Sequence, residues 1–146
     1  MIAAIAIVLS VVMACIALLH AYWGLGGIWP ASSAERLARA AVGTPGIRKM
    51  PGTAACLAVA ALLLAVASWP SFALRLVPEA WPHWLTLLAG LGIAGVFLGR
   101  GLAGYTTAWR RRFSEQPFAR LDRIVYSPLC LALGAGFIVL LLRGPQ

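Results

Sequence analysis

Four long stretches without a charged residue constrain this chain of 146 residues more than any other feature. They cover residues 1–34, 50–74, 80–99 and 124–142. A bilayer core about 30 Å thick is crossed by roughly 20 helical residues at about 1.5 Å each. Because a helix satisfies its own backbone groups in lipid, the sequence predicts an all-α fold, a four-transmembrane-helix bundle. The expected spans, within a single membrane domain of residues 1–146, are residues 2–23, 53–70, 83–108 and 122–143.

The composition agrees with a protein whose solvent is lipid. The chain is 62% hydrophobic and 11% charged, whereas soluble domains are about one-quarter charged. The net charge of +8 is also typical of nucleic-acid-binding proteins, but no zinc-finger, helix-turn-helix or aromatic-platform pattern accompanies it. Since anionic headgroups attract basic connections, we expect membrane lipids as partners and no nucleic acid.

The cysteines give no indication of a metal site. Cys15, Cys56 and Cys130 each lie inside an apolar stretch, without the Cys-x-x-Cys or Cys/His spacing of a metal centre. An odd number of cysteines also argues against a disulfide framework. We therefore expect buried, inert thiols, no metal and no cofactor.

Basic residues are concentrated in two of the three connections between the spans. The first connection carries Arg36, Arg39, Arg48 and Lys49. The third carries Arg110, Arg111, Arg112, Arg120 and Arg123. The positive-inside rule places both of these connections in the cytoplasm and both termini outside.

The first connection is predicted to contain a short interfacial helix. Ser32 followed by Glu35 forms a capping box, and Gly43 is suited to end the helix. Between them an apolar stripe lies opposite charged residues, which is typical of an amphipathic helix in the headgroup plane. The stripe consists of Ala34, Leu37, Ala38 and Ala41.

Glycines form one stripe along the third span. Gly92, Gly95 and Gly99 follow one another at i, i+3 and i+7, and the last two make a GxxxG pair. Small residues let helix backbones approach closely, which drives association in lipid. We expect this stripe to hold the bundle together, and homodimerisation through it is the alternative.

Polar and aromatic side chains gather where three spans reach the predicted cytoplasmic boundary. The tryptophans there also fit an interfacial aromatic belt. His20 is either a functional group or a partner in a structural hydrogen bond. Arg100 is either a snorkelling anchor or a buried cation paired with Asp122. The candidate cluster consists of His20, Tyr22, Trp23, Arg100, Asp122, Arg123 and Tyr126.

The start of the fourth span is expected to be irregular. Pro128 has no backbone N–H and leaves the carbonyl of Ile124 without its helical partner. The helix is therefore loosened where Asp122 and Tyr126 lie.

Two blocks of sequence resemble a known family. The first block is His20-x-Tyr22-Trp23-x-x-Gly26-Gly27 followed by Trp29-Pro30. The second is Phe113 and then Arg120-Leu121-Asp122-x-x-Tyr126-Ser127-Pro128-Leu129-Cys130. Both are similar to small bacterial four-helix membrane proteins of a domain-of-unknown-function family. The resemblance implies a bacterial protein that crosses the inner membrane four times, and it implies no activity.

Three classes of function stay open. One is binding or modification of a lipid-like or isoprenoid molecule at the cytoplasmic interface, with His20 as acid or base, Asp122 orienting it and Arg100 holding an anionic or carbonyl group. Another is a non-catalytic membrane partner or assembly subunit. The last is a small transporter or oligomeric channel, although the midplane lacks the charges typical of transport sites. No nucleophile is defined, so enzymatic activity is neither predicted nor excluded.

Overall fold

A computed structural model of the chain describes residues 1–144, which contain helices and turns and no strand. Four helices are long and apolar enough to cross a membrane. They span Ile2–Gly24, Thr53–Ala73, His83–Ala103 and Phe118–Arg143. This confirms the predicted all-α, four-helix architecture and identifies a multi-pass membrane protein.

The helices are numbered in chain order, and the last span is made of three segments. A five-residue π-helix, Asp122–Tyr126, joins α6 to α7. The α-helices are α1 (Ile2–Gly24), α2 (Ala34–Ala41), α3 (Thr53–Ala73), α4 (His83–Ala103), α5 (Thr107–Arg112), α6 (Phe118–Leu121) and α7 (Ser127–Arg143).

The largest differences from the expected span boundaries are at two helix ends, whereas α3 runs only slightly past the expected residue 70, to Ala73. The third long helix was expected to continue to residue 108, but it ends at Ala103. Thr106 then caps α5 by accepting a hydrogen bond from the backbone N–H of Trp109, so a separate helix starts there. The fourth long helix begins at Phe118, four residues before the predicted start.

The short helix in the first connection is present, with a different cap. Ser33, one residue after the predicted Ser32, accepts the hydrogen bond from the backbone N–H of Arg36. Ser32 instead accepts a hydrogen bond from the Arg36 side chain. The centre of the apolar stripe of α2 is buried, because Leu37 is 2% exposed and α2 packs against α6, whereas Ala34 at its start is exposed.

The four long helices form two close pairs. Helix α1 packs along α3 and α4 packs along α7, and the pairs meet around a shared apolar core. Met13, Trp69, Ala94, Phe137 and Leu140 are buried at that centre. The outer faces are also apolar, as expected where lipid replaces water. Outward-facing examples are Ile7, Leu62, Val96 and Leu142.

Glycines do hold the helix pairs together, but they are not the predicted ones. A Cβ atom added at Gly101 would lie 2.7 Å from the Leu131 side chain, and one at Gly134 would lie 2.7 Å from Leu98. Gly90 lies directly against the ring of Trp69. These close approaches join α4 to α7 and α3.

The expected packing role of Gly92, Gly95 and Gly99 within the bundle is not borne out. Among residues 1–144, no heavy atom outside the immediate helix neighbourhood lies within 4 Å of a Cβ built at any of the three. All three are exposed on the outer face of α4. The GxxxG pattern was present, but it occupies the face that the bundle leaves uncovered.

Replacing Gly90 by Ala is expected to destabilise the bundle by about 1–3 kcal/mol, because the new methyl group overlaps Trp69. Trp69 cannot move away freely, since it is 4% exposed and its Nε1 donates to the carbonyl oxygen of Thr86 at 2.9 Å. The matched change Gly95→Ala is expected to leave stability unchanged or to raise it by up to about 1 kcal/mol. Unfolding in detergent, followed by circular dichroism, measures both. Equal losses would contradict the assigned packing faces.

Candidate functional site

The two basic connections lie at the same end of the bundle, which we call the basic end. It comprises residues 25–52 and 104–117 together with the adjoining helix ends. All seven residues of the candidate cluster lie near this end, but the structure separates them into two groups. The first contains Arg100 and Asp122, with Arg123 and Tyr126 beside them, and the second contains His20, Tyr22 and Trp23.

Arg100 is a cation paired with Asp122, which was one of its two interpretations. The Nη2 atom of Arg100 donates to Oδ1 of Asp122, and Nη1 lies 3.5 Å from the hydroxyl of Ser127. The other carboxylate oxygen accepts a hydrogen bond from Nε1 of Trp109 at 3.1 Å. The guanidinium carbon lies 4.3 Å from the centroid of the Trp109 ring, a cation–π arrangement.

Two local backbone features allow Asp122 to approach Arg100. The predicted irregularity at Pro128 takes the form of the π-helix, in which the N–H of Ser127 donates to the carbonyl of Asp122, five residues earlier. Gly104 provides the space, because any side chain there would collide with Ser127 and approach Asp122. Asp122 and Ser127 are consequently buried at 3% and 0% exposure.

The facing polar atoms of the Arg100 group are engaged with one another. Both oxygens of Asp122 are engaged, and both terminal nitrogens of Arg100 contact an acceptor. The Asp122 carboxylate is buried and has no oxygen left for a ligand, and removing its partner would leave a buried charge unpaired, which is costly. The group therefore fastens α5 to the ends of α4 and α7. Trp109 and Ser127 belong to it as much as the two charged residues do.

Tyr126 and Arg123 lie beside this group without joining it. The Tyr126 hydroxyl donates to the carbonyl oxygen of Ala40 at 3.1 Å, which ties the π-helix to α2. Arg123 takes part through its backbone, since its carbonyl oxygen accepts from the Tyr105 hydroxyl at 3.3 Å. Both residues thus connect segments of the basic end.

His20 has no hydrogen bond to Asp122 or Arg100 within residues 1–144. Its Nδ1 lies 2.8 Å from the carbonyl oxygen of Ile16. A carbonyl oxygen only accepts, so Nδ1 carries the proton, and in the neutral ring Nε2 presents a lone pair. The anticipated orientation of His20 by Asp122 is therefore absent from the structure.

The two aromatic neighbours of His20 shape the chain around it. Trp23 lies 5.2 Å from His20, ring centroid to ring centroid, and donates from Nε1 to the carbonyl oxygen of Trp29 at 2.7 Å. The ring of Tyr22 covers Gly27, where a side chain would collide with it. These contacts fold the chain back at the end of α1.

His20 lines a cavity of about 200 Å³ between α1, α3 and the end of α2. The Trp23 indole is engaged with Trp29, and the Cys56 thiol lies 3.5 Å from the carbonyl of Pro51 as a donor. His20 Nε2 has no hydrogen-bond partner within residues 1–144, so among the lining side chains it is the polar atom left for a ligand. The cavity is lined by His20, Trp23, Ala41, Val42, Met50, Pro51, Ala55, Cys56 and Val59.

A carboxylate that the sequence did not single out links the two basic connections. Glu115 accepts from Nε of Arg39 at 2.7 Å and from the backbone N–H of Gly46 at 3.0 Å. Its own N–H donates to the carbonyl of Gly43 at 3.1 Å. These donors, first Gly46 and then Arg39, hold the pKa of Glu115 below its usual value of 4.5.

Because the pKa of Glu115 is lowered on folding, its contribution to stability is present above pH 4.5 and is lost as the pH falls through the lower folded value. Glu115→Gln is expected to reduce the thermal midpoint at neutral pH and to diminish this acid-dependent loss. Glu35→Gln removes an exposed acid without a hydrogen bond in the described part of the chain, and it should preserve the loss. Thermal unfolding in detergent across this pH range measures both. Identical profiles for the two variants would contradict the role of Glu115.

No curated protein and no solved structure matches the chain. A family described as "Protein of unknown function (DUF3995)" matches residues 13–137, a region that includes both groups of the candidate cluster. The match confirms the resemblance to a domain-of-unknown-function family, and with most of its length covered the chain belongs to the DUF3995 family.

Proposed function

We propose that the protein binds a lipid-like or isoprenoid molecule at the cytoplasmic interface of the bacterial inner membrane, with its head group in the His20 cavity. The observation that supports this proposal is a single free polar atom, His20 Nε2, in a lining that is otherwise apolar or already hydrogen-bonded. This is the usual composition of a small-molecule site, in which few polar groups orient a mainly apolar ligand.

The size and position of the cavity narrow the ligand class. A cavity of about 150 Å³ holds a benzene ring, so about 200 Å³ accommodates one substituted ring or a head group of similar size. Val59, on the wall contributed by α3, is 40% exposed on the outer surface. An apolar tail can leave the cavity past Val59 into the surrounding lipid. In neutral His20 the Nε2 atom accepts a hydrogen bond, so the head group should carry a hydroxyl or another donor.

The Arg100 group supports the ligand site indirectly in this proposal. The Asp122 carboxylate is engaged on both oxygens and Arg100 faces it, so the group positions α5 and the start of α7 and lies apart from the proposed ligand. The proposed activity is binding, with both basic connections in the cytoplasm and both termini outside. His20 is also placed to take a proton from a bound hydroxyl, which is how a general base acts.

His20→Phe keeps a ring of similar volume and removes the acceptor, so it should weaken binding of an isoprenoid quinol by about tenfold. His83→Phe is the matched control, because it changes the other histidine of the chain, at the opposite end of the bundle. Native mass spectrometry of detergent-purified protein measures the retained ligand and the added quinol. Equal binding by the two variants, or no retained or added ligand on the wild type, would contradict the proposal.

A second candidate function is that of a non-catalytic membrane partner, and the uncovered glycine stripe favours it. The stripe lies on the outer face of α4, and no other part of the described chain packs against it; it consists of Gly92, Gly95 and Gly99. Such a surface lets another helix approach closely in lipid. A second copy of this chain or a larger membrane protein are the occupants to be distinguished.

Gly95→Ile combined with Gly99→Ile should abolish recovery of a complex in mild detergent, because two bulky side chains on the glycine stripe prevent another helix from approaching closely. Ala61→Ile with Ala65→Ile is the matched control, since these alanines are exposed at the same spacing on α3. Light scattering after size exclusion detects a homodimer, and mass spectrometry identifies any other co-purified protein. A complex unaffected by the glycine substitutions would exclude this surface as the interface.

A further inference from the structure

A polar groove lies beside α5 at the basic end, and it shares no lining residue with the His20 cavity. Its volume is about 590 Å³, and the groove is open. Five of its six lining side chains carry N–H or O–H donors, and none is acidic. The lining consists of Thr107, Arg110, Arg111, Ser114, Gln116 and Ala119.

The helix geometry puts the donors on one side. Thr107, Arg110 and Arg111 are related by i, i+3 and i+4 on α5, so they share a face. Trp109 points from the same helix to Asp122, to which its indole donates. The helix is therefore held to the bundle through Trp109, while the two arginines are exposed.

The acidic side chains nearest in sequence are engaged elsewhere. Glu115 lies between two groove residues in the chain, but its carboxylate is held by Arg39 and the N–H of Gly46. Asp122 is held by Arg100. Within residues 1–144, the guanidinium groups of Arg110 and Arg111 have neither an ion pair nor a side-chain hydrogen bond. The groove thus presents two uncompensated cations together with neutral donors.

We infer that this groove binds the phosphate group of an anionic membrane lipid. Guanidinium groups bind phosphate oxygens with strong, charge-assisted hydrogen bonds, and hydroxyl donors add directional contacts. A free phosphate ion shares this chemistry. The lipid is favoured because α5 directly follows the end of α4, and Ala119 belongs to the helix that forms the fourth span. Both place the groove at the depth of headgroups.

The test compares two double variants that remove the same charge from the basic end. The groove variant, Arg110→Ala with Arg111→Ala, removes both arginine side chains that line the groove. The control variant, Arg112→Ala with Arg120→Ala, removes two arginines that do not line it. Purified protein is titrated with phosphatidylglycerol and, separately, phosphatidylcholine, and bound lipid is measured by native mass spectrometry. The groove variant should lose about tenfold more phosphatidylglycerol affinity than the control variant. Equal losses in the two variants, or no loss in either, would overturn the inference.

Two further arms separate the remaining explanations. Ser114→Ala keeps the net charge and should weaken phosphatidylglycerol binding about threefold, because one donor to the phosphate is lost. Unchanged binding by this variant would leave only diffuse attraction and would overturn the inference.

Excess inorganic phosphate should leave the lipid bound. Displacement of the lipid would assign the groove to free phosphate instead. Circular dichroism of each variant checks that the bundle stays folded.

Discussion

The pairing of Arg100 with Asp122 determines the arrangement of the basic end. A guanidinium at the end of an apolar helix needs an anion or water, because hydrocarbon solvates charge poorly. Asp122 can reach it because the π-helix inserts one residue, which rotates the preceding segment by about 100° relative to α7. Gly104 leaves the necessary space. Trp109 then donates to the second oxygen of the Asp122 carboxylate, and this hydrogen bond holds α5 and its two flanking connections in place.

Polar atoms at the basic end have two different roles. Those with hydrogen-bond partners within the chain join its elements, and those without such partners belong to the candidate binding sites. Asp122 and Glu115 each accept two hydrogen bonds from different segments, so their role is to join elements. His20 Nε2 and the guanidinium of Arg110 have no such partner among the described residues, and the two residues line the cavity and the groove. Since unpaired polar groups beside a cavity are the ones able to engage a ligand, they carry the two binding proposals.

Sequence reasoning predicted the spans because the absence of charge is a one-dimensional property, but it does not reveal which way a helix face points. Gly95 and Gly99 matched a packing motif and face outward, whereas Gly90, followed by Ala94 at i+4, carries the real contact face. The same limit separated His20 from Asp122, since span lengths give depth in the membrane and not position around the bundle. The pairing of Arg100 with Asp122 was foreseen as one alternative. The role of Glu115 depends on two distant loops and had no local signal.

The bridge made by Glu115 bears on the orientation in which the two halves of the protein are inserted. The α1–α3 hairpin is synthesised before Glu115 exists, so Arg39 and the Gly46 amide are first exposed without their acceptor. They meet Glu115 only if the second hairpin enters the bilayer with its basic connection on the same side. A second hairpin inserted upside down leaves the acceptor across the membrane. The bridge therefore stabilises only the arrangement with both basic connections on one side of the membrane. This stabilisation acts after translation and is separate from the charge bias that guides each helix during insertion.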